Sequence, residues 1–199
     1  MPTAAEFRAA LKGATADDIV DRFMLTPGAD RVSLENIAFI QNSLASAYGV
    51  DPRKVQACIT GSAKLGFSLV EKDRSGSPKR PRYRSFGANS DIDVAVISAD
   101  IFNQIWLELS GHAHRAVWFP PAANRRGDYL VCGWLRPDHF PDGVRLPRCD
   151  TWSDTFRKLS ADSRFGRRSV SGGIFASVAH LKQYMSRAVR ECIAEEETP

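Results

Sequence analysis

The stretch from Ile59 to Ser98 constrains the fold more than any other part of this 199-residue chain. It begins as a short apolar run that breaks at Gly61-Ser62 and continues with residues that tolerate a helix. It ends in a second apolar run, Asp91 to Ile97, with aspartates at positions 91 and 93. Because residues two apart in a strand point to the same side, the pattern predicts two carboxylates on one face of a strand.

Two neighbouring carboxylates repel each other, and a divalent cation is the usual reason for such a pair. Mg²⁺ prefers oxygen ligands and is often held by one or two carboxylates together with substrate phosphates. Gly61-Ser62 supplies the complementary half, because glycine lets a phosphate approach the backbone and N–H groups at a helix start favour an anion. These residues predict a site for a nucleoside triphosphate and Mg²⁺ or Mn²⁺, with Asp91 and Asp93 as metal ligands.

Gly61-Ser62 followed by Asp91-Ile92-Asp93 resembles the signature of the DNA polymerase beta-type nucleotidyltransferase superfamily. In that superfamily a strand ends in Gly-Ser, a short helix follows, and the next strand carries Asp-x-Asp. The wider form, which runs from Gly61 to Gly66 and from Ser90 to Val94, is similar to the bacterial branch that includes the cyclic-oligonucleotide synthases of phage defence. The resemblance spans residues 55–98 and rests on the order of the two motifs, since either motif alone is weak.

The resemblance implies an α/β (α+β) nucleotidyltransferase fold, with a small mixed sheet flanked by helices and extra helices at both ends. It implies that Gly61, Ser62 and Lys64 hold the phosphates of ATP or another triphosphate, while Asp91 and Asp93 are catalytic metal ligands. The implied reaction transfers a nucleoside monophosphate to a hydroxyl of RNA, a nucleotide or a protein and releases pyrophosphate. The implied setting is a bacterial defence or toxin–antitoxin system.

The superfamily uses a third carboxylate on a later strand, where it binds a second metal and assists the acceptor hydroxyl. The first candidate here is Asp128, at the head of a predicted strand over Tyr129–Cys132; Asp150 is the second and Asp138 the third. Each of these aspartates also suits a turn. The alternative function is a catalytically degenerate module of the same fold that binds nucleotide or nucleic acid in a regulatory or defence complex.

Residues 72–84 form a basic arm between the two motifs, and they make the gap between the motifs longer than the family's usual one. Gly76, Pro78 and Pro81 argue against regular structure there. The arm is predicted to bind the triphosphate or an acceptor RNA, with aromatic residues near its end for base stacking. A solvated loop is the alternative. The basic residues are Lys72, Arg74, Lys79, Arg80, Arg82 and Arg84, and the aromatic ones are Tyr83 and Phe86.

The whole chain, residues 1–199, is predicted to be one domain, with its core at 50–160 and helical extensions at 1–49 and 161–199. A helix over 3–12 is predicted from a capping box of Thr3 and Glu6, and another helix starts at Ser33. The final helix is predicted from Gly173 to Ala194. The arginines at 164, 167 and 168 suit either phosphate binding or an exposed surface.

Composition is that of a soluble globular protein, with 43% hydrophobic and 25% charged residues. The net charge of +4 suits a polyanionic ligand. The four cysteines lack zinc-site spacing and are predicted to be reduced core residues. No apolar run approaches the ~18–20 residues that span a bilayer, and no apolar leader opens the chain, so we expect a cytoplasmic protein without a membrane partner.

Overall fold

A four-stranded mixed sheet lies between two groups of helices in the computed structural model of this chain. The structure describes residues 2–29, 31–71, 80–115, 131–139 and 146–197. The predicted α/β (α+β) class, with a small mixed sheet flanked by helices, is confirmed. Among the described residues, no helix combines the length and the apolar character needed to cross a bilayer.

The sheet has the strand order β1-β2-β4-β3, so β2 and β4 are its two central strands. Strand β2 pairs antiparallel with β1 and parallel with β4, while β3 pairs antiparallel with β4. The strands predicted from the alternation around 55–60 and from the run at 91–97 are confirmed as β1 and β2. The bounds are β1 Gln56–Thr60, β2 Ile92–Ile97, β3 Trp134–Leu135 and β4 Val170–Phe175.

Polar side chains cap the first turns of the first three α-helices. The capping box predicted at Thr3 and Glu6 is confirmed, because each side chain bonds the other residue's backbone N–H. The predicted cap at Ser33 accepts from the N–H of Asn36 at 3.1 Å. The helices are α1 Ala4–Leu11, α2 Ala16–Ile19 with a π-helical continuation Val20–Met24, α3 Leu34–Tyr48, α4 Gly61–Leu65, α5 Ala99–Arg115, α6 Pro147–Ala161 and α7 Val178–Glu197.

The two faces of the sheet have different neighbours. One face carries Ile92, Val94 and Val96 of β2 and packs on α3, α5 and α6 in a single buried cluster. The other face carries Ala95 and Ile97 and packs on α1, α2 and α7. Alternation along β2 therefore sends one set of residues into each core, as the period of two requires.

The C-terminal region differs from the prediction of a purely helical extension over 161–199. Residues 170–175 form a central strand, and the last helix begins at Val178 instead of Gly173. Adjacent glycines at 172 and 173 disfavour a helix, and Gly172 lets the Phe156 ring pack against the strand. The strand is also tied to its neighbours, since the Ile92 N–H donates to the Ser169 carbonyl at 2.8 Å.

The strand predicted over Tyr129–Cys132 is not present in the part of that range that the structure describes. Positions 129 and 130 lie outside the described residues, while Val131 is helical and Cys132 lies in a turn. All four cysteines are free thiols. Cys149 and Cys192 are core residues as predicted, whereas Cys132 is exposed, so the core assignment was wrong for that residue.

Replacing Gly172 by alanine tests the packing between α6 and the sheet. The added Cβ would lie 2.4 Å from Cζ of Phe156 and 3.0 Å from the Val94 carbonyl oxygen. We expect Gly172→Ala to lower the free energy of unfolding by about 1–3 kcal/mol, as overpacking does. Denaturant unfolding measures this change. Gly13→Ala is the control, because a Cβ there meets nothing within 4 Å, and an equal loss in both variants would contradict the packing argument.

Candidate active site

Asp93 lies in a row of polar residues on the sheet face that α7 packs against. Its register partners are Thr60 of β1 and Ser171 of β4. Paired residues on neighbouring strands project to the same side, so the three side chains share one face. All three are partly exposed, whereas Val94 on the opposite face is buried. The sheet therefore leaves a partly open polar patch at this end of its two central strands.

Two hydrogen bonds and a close glycine surround Asp93. Ser171 Oγ donates to Asp93 Oδ1 at 3.3 Å, and Thr60 Oγ1 donates to the Asp93 carbonyl oxygen at 3.2 Å. The other carboxylate oxygen, Oδ2, faces Gly61, where an added Cβ would lie 3.0 Å away. Gly61 has φ +59°, a backbone conformation that favours glycine. The structure thus brings the Gly-Ser turn and the Asp-x-Asp strand together, as the sequence predicts.

The remaining predicted residues of the two motifs lie around this contact. Ser62 is partly exposed in the first turn of α4, and Asp91 is exposed directly before β2. Helix α4 has only five residues, so its aligned peptide dipoles are few. An anion beside this turn would therefore depend on individual hydrogen-bond donors and side-chain cations rather than on a helix dipole.

Lys64 is placed differently from its predicted role as a phosphate ligand. Its Nζ donates to the carbonyl oxygen of Thr26 at 2.6 Å, to Thr26 Oγ1 at 3.0 Å and to the Gly28 carbonyl oxygen. The residue is only 7% exposed, and a buried ammonium needs such partners. Lys64 therefore fastens α4 to the 26–28 loop, at the edge of a cavity of about 730 Å³ that Arg22 and Phe23 also line.

The described residues bring no third carboxylate to Asp93. Asp128, the first candidate, lies outside the described residues. Asp150 is exposed on α6, which packs on the opposite face of the sheet, so it was a wrong candidate. Asp138 accepts a bidentate pair of hydrogen bonds from Arg136. Within the described ranges, no group of three or more His, Cys, Asp or Glu residues is arranged to hold a metal.

Arg136 is the cation that sequence reasoning missed. Strand β3 ends one residue before it, and its Cδ lies 3.5 Å from where a Cβ on Gly173 would stand. The hydrogen bonds that Arg136 donates to Asp138 raise the pKa of Arg136, burial opposes this, and the negative charges of Asp138 and Asp93 raise it further. The net effect favours the charged guanidinium. The spacing Arg136-x-Asp138 after a short apolar strand was the available signal.

Burial of Asp138 would by itself raise the pKa of its carboxyl group. The hydrogen bonds and positive charge of Arg136 outweigh that effect and hold the pKa below its ordinary value. Asp138 is therefore a carboxylate over the whole neutral range, and it serves as the partner of Arg136. This assignment replaces the predicted role of Asp138 as a candidate third catalytic carboxylate.

The described end of the basic arm is built into the structure. Residues 72–79 lie outside the described residues. Arg82 Nε donates to Glu195 of α7 at 2.8 Å and its Nη1 donates to the Leu69 carbonyl oxygen. The Tyr83 ring lies 6.0 Å from the Phe67 ring, on the inner side of the segment. Arg82 therefore attaches the arm to α7, while Tyr83 packs on Phe67.

The arginines that follow α6 also serve the fold. Arg168 Nη1 donates to the carbonyl oxygens of Gly87, Ala88 and Ser90, and so supports the loop that leads into Asp91. Arg164 stacks over the Phe39 ring at 3.9 Å. These contacts give both residues a structural role, which was not among the two interpretations left open for this cluster, phosphate binding and an exposed surface.

Comparison with protein-family models, with curated proteins and with solved structures found no match.

A glycine-to-alanine pair tests how closely the turn approaches Asp93. Gly61 and Gly166 both have positive φ, +59° and +64°, but only a Cβ on Gly61 meets a neighbour, Asp93 Oδ2. We expect each alanine variant to lose about 1 kcal/mol of stability from the left-handed backbone. Gly61→Ala should lose about 1 kcal/mol more, because the carboxylate must move. Denaturant unfolding measures both, and equal losses would contradict the close contact.

Proposed function

We propose that this chain has a nucleotidyltransferase fold and is a metal-dependent enzyme that transfers a nucleoside monophosphate from a nucleoside triphosphate to a hydroxyl acceptor. Pyrophosphate is the leaving group. The observation that carries this proposal is the close approach of Gly61 to Asp93, where a Cβ on Gly61 would lie 3.0 Å from Oδ2, because it brings together two motifs that are distant in the sequence. The acceptor is RNA, another nucleotide or a protein.

The donor set fits a hard divalent cation. Asp91 and Asp93 offer carboxylate oxygens, and Mg²⁺ is commonly held by one or two carboxylates with substrate phosphates completing its ligands. Ser171 orients one oxygen of Asp93, and Gly61 leaves space beside the other. When bound, Mg²⁺ or Mn²⁺ supplies Lewis-acid stabilisation of the charge that develops on the phosphate being transferred.

The chain's own residues bind and orient the triphosphate. The backbone of Gly61 can approach a phosphate closely because it has no side chain, and the Ser62 hydroxyl is a donor on the same turn. Thr60 and Ser171 hold Asp93 in place from the two neighbouring strands. The acceptor hydroxyl must lose a proton, and Asp128 remains the residue predicted to assist that loss.

One observation favours a second candidate function, a module that binds nucleotide or nucleic acid without transferring a nucleotidyl group. Strand β4, the parallel neighbour of β2, carries Ser171 and not a carboxylate at the level of Asp93. The hydroxyl donates a hydrogen bond to Asp93 and cannot serve as a charged metal ligand or as a base of comparable strength. On this reading the site binds phosphates and lacks a residue that the chemistry needs.

Thermal unfolding with Mg²⁺ and each of the four ribonucleoside triphosphates tests the proposed site. A ligand at a hundredfold over its dissociation constant stabilises the folded state by about 2.7 kcal/mol. For a chain of this size we expect the midpoint to rise by roughly 5–10 °C. Asp91→Asn/Asp93→Asn should abolish the metal-dependent rise. Asp150→Asn is the control, since it removes an exposed carboxylate on the opposite side of the sheet.

The outcomes separate the candidate functions. A rise that the double variant loses and the control keeps, followed by pyrophosphate release with an RNA, nucleotide or protein acceptor, supports the enzyme. The same rise without pyrophosphate release from any acceptor supports the binding module. A rise that the double variant retains would show that the nucleotide binds elsewhere and would overturn the proposed site.

A further inference from the structure

Arg136 is held in a fixed position by Asp138. Its Nε donates to Asp138 Oδ1 at 2.9 Å and its Nη2 donates to Asp138 Oδ2 at 2.7 Å. His139 Nε2 lies 3.2 Å from the same Nη2. A guanidinium has five N–H donors, and the Asp138 bonds use one of its edges. These bonds use Nε and Nη2, and Nη1 takes no part in them.

Gly173 gives the Arg136 side chain its path across the sheet. The residue is partly exposed although it lies in a central strand, and the Arg136 stem passes within 3.5 Å of where its Cβ would be. Gly173 pairs with Ala95 and lies two residues from Ser171 on the same face. The stem of Arg136 therefore crosses β4 on the face that carries Ser171 and its register partner Asp93.

Anchoring is what makes this arginine suited to binding an anion. A free arginine loses much rotamer freedom when it binds a ligand, whereas one already held by a carboxylate has lost that freedom beforehand. The guanidinium fork also matches phosphate oxygens in a directional way that an ammonium does not. Arg82 and Arg168, by contrast, have their guanidinium groups bonded to the protein itself.

We propose that the Nη1 edge of Arg136 binds the phosphate oxygens of a polyphosphate ligand beside Asp93, and that Asp138 is the positioning residue for this contact. The proposal rests on the proposed function, because it places the triphosphate next to Asp91 and Asp93. Arg136 would then bind the phosphates in place of Lys64, for which that role was predicted. The ligand class is a nucleoside triphosphate, recognised through its phosphate chain rather than its base.

Isothermal titration of the full chain with Mg²⁺ and ATP, AMP or inorganic tripolyphosphate tests the proposal. Arg136→Gln removes a charged donor, so we expect ATP and tripolyphosphate to bind roughly 10- to 100-fold more weakly. AMP should be affected much less, so the ratio of AMP to ATP affinity changes. Arg136→Lys, which keeps the charge, should recover part of the loss. Asp138→Asn should weaken ATP binding by a smaller factor, through Arg136.

Arg164→Gln is the matched control, since Arg164 also pairs with an aspartate, Asp162, two residues away, and lies over the Phe39 ring. It should leave all three affinities unchanged. Thermal midpoints of each variant without ligand report whether the fold survives, and Arg136→Lys covers the case in which Arg136→Gln does not fold.

The results distinguish this inference from the proposed function. If Arg136→Gln leaves ATP binding unchanged, or weakens ATP and AMP equally, Arg136 is not a phosphate ligand, while the site at Asp91 and Asp93 can still stand. If Asp91→Asn/Asp93→Asn does not change the Mg²⁺ dependence, the proposed function fails, while tripolyphosphate binding without metal still reports on Arg136. A wild-type chain that binds neither ATP nor tripolyphosphate overturns both.

Discussion

The register of β2 between its two neighbours is the constraint on which both the core and the candidate site depend. A slip of one residue in a strand reverses which side chains face each side. Such a slip would place Asp93 among the apolar residues of α3, α5 and α6 and would expose Val94. Burial of Ile92, Val94 and Val96 on one face therefore selects the register that presents Asp93 with Thr60 and Ser171 on the other. The apolar core specifies where the carboxylate lies.

The sequence predicts the central part of this arrangement because the relevant signals are local. Alternation around Ile59 and the apolar run after Asp91 define two strands. The Gly-Ser turn ends the first strand and begins the next element. Two strands joined through a turn and a short helix then place Gly61 near Asp93. The caps at Thr3 and Ser33 are equally local and equally predictable, because each depends on a side chain and a backbone N–H three residues apart.

The features that were not predicted depend on pairing between distant segments. The predicted final helix included Gly173 to Phe175, whereas these residues belong to a strand that is defined by its pairing with β2 and β3. The partners of Lys64 are two backbone carbonyls and a hydroxyl about 36–38 positions away. No local sequence pattern predicts partners at that distance. Arg136 gains its position from a two-residue strand that exists only as an addition to β4. For the arginine clusters the sequence left phosphate binding and a solvated surface open, whereas Arg82 and Arg168 donate to carbonyls and a carboxylate of the fold. Some of the positive charges of the chain therefore stabilise the fold.

The order of the strands has a consequence for how the chain acquires its site during synthesis. Among the described strands, β4 is the last in the sequence but lies at the centre of the sheet, between β2 and β3. An emerging chain can pair β1 with β2 early, while one edge of β2 stays unpaired until residues 170–175 leave the ribosome. Ser171 then completes the row beside Asp93, and β3 can attach only afterwards, carrying Arg136 with it. The polar patch therefore forms only after residues 170–175 have been translated, with the long-range pairing that is intrinsically slow.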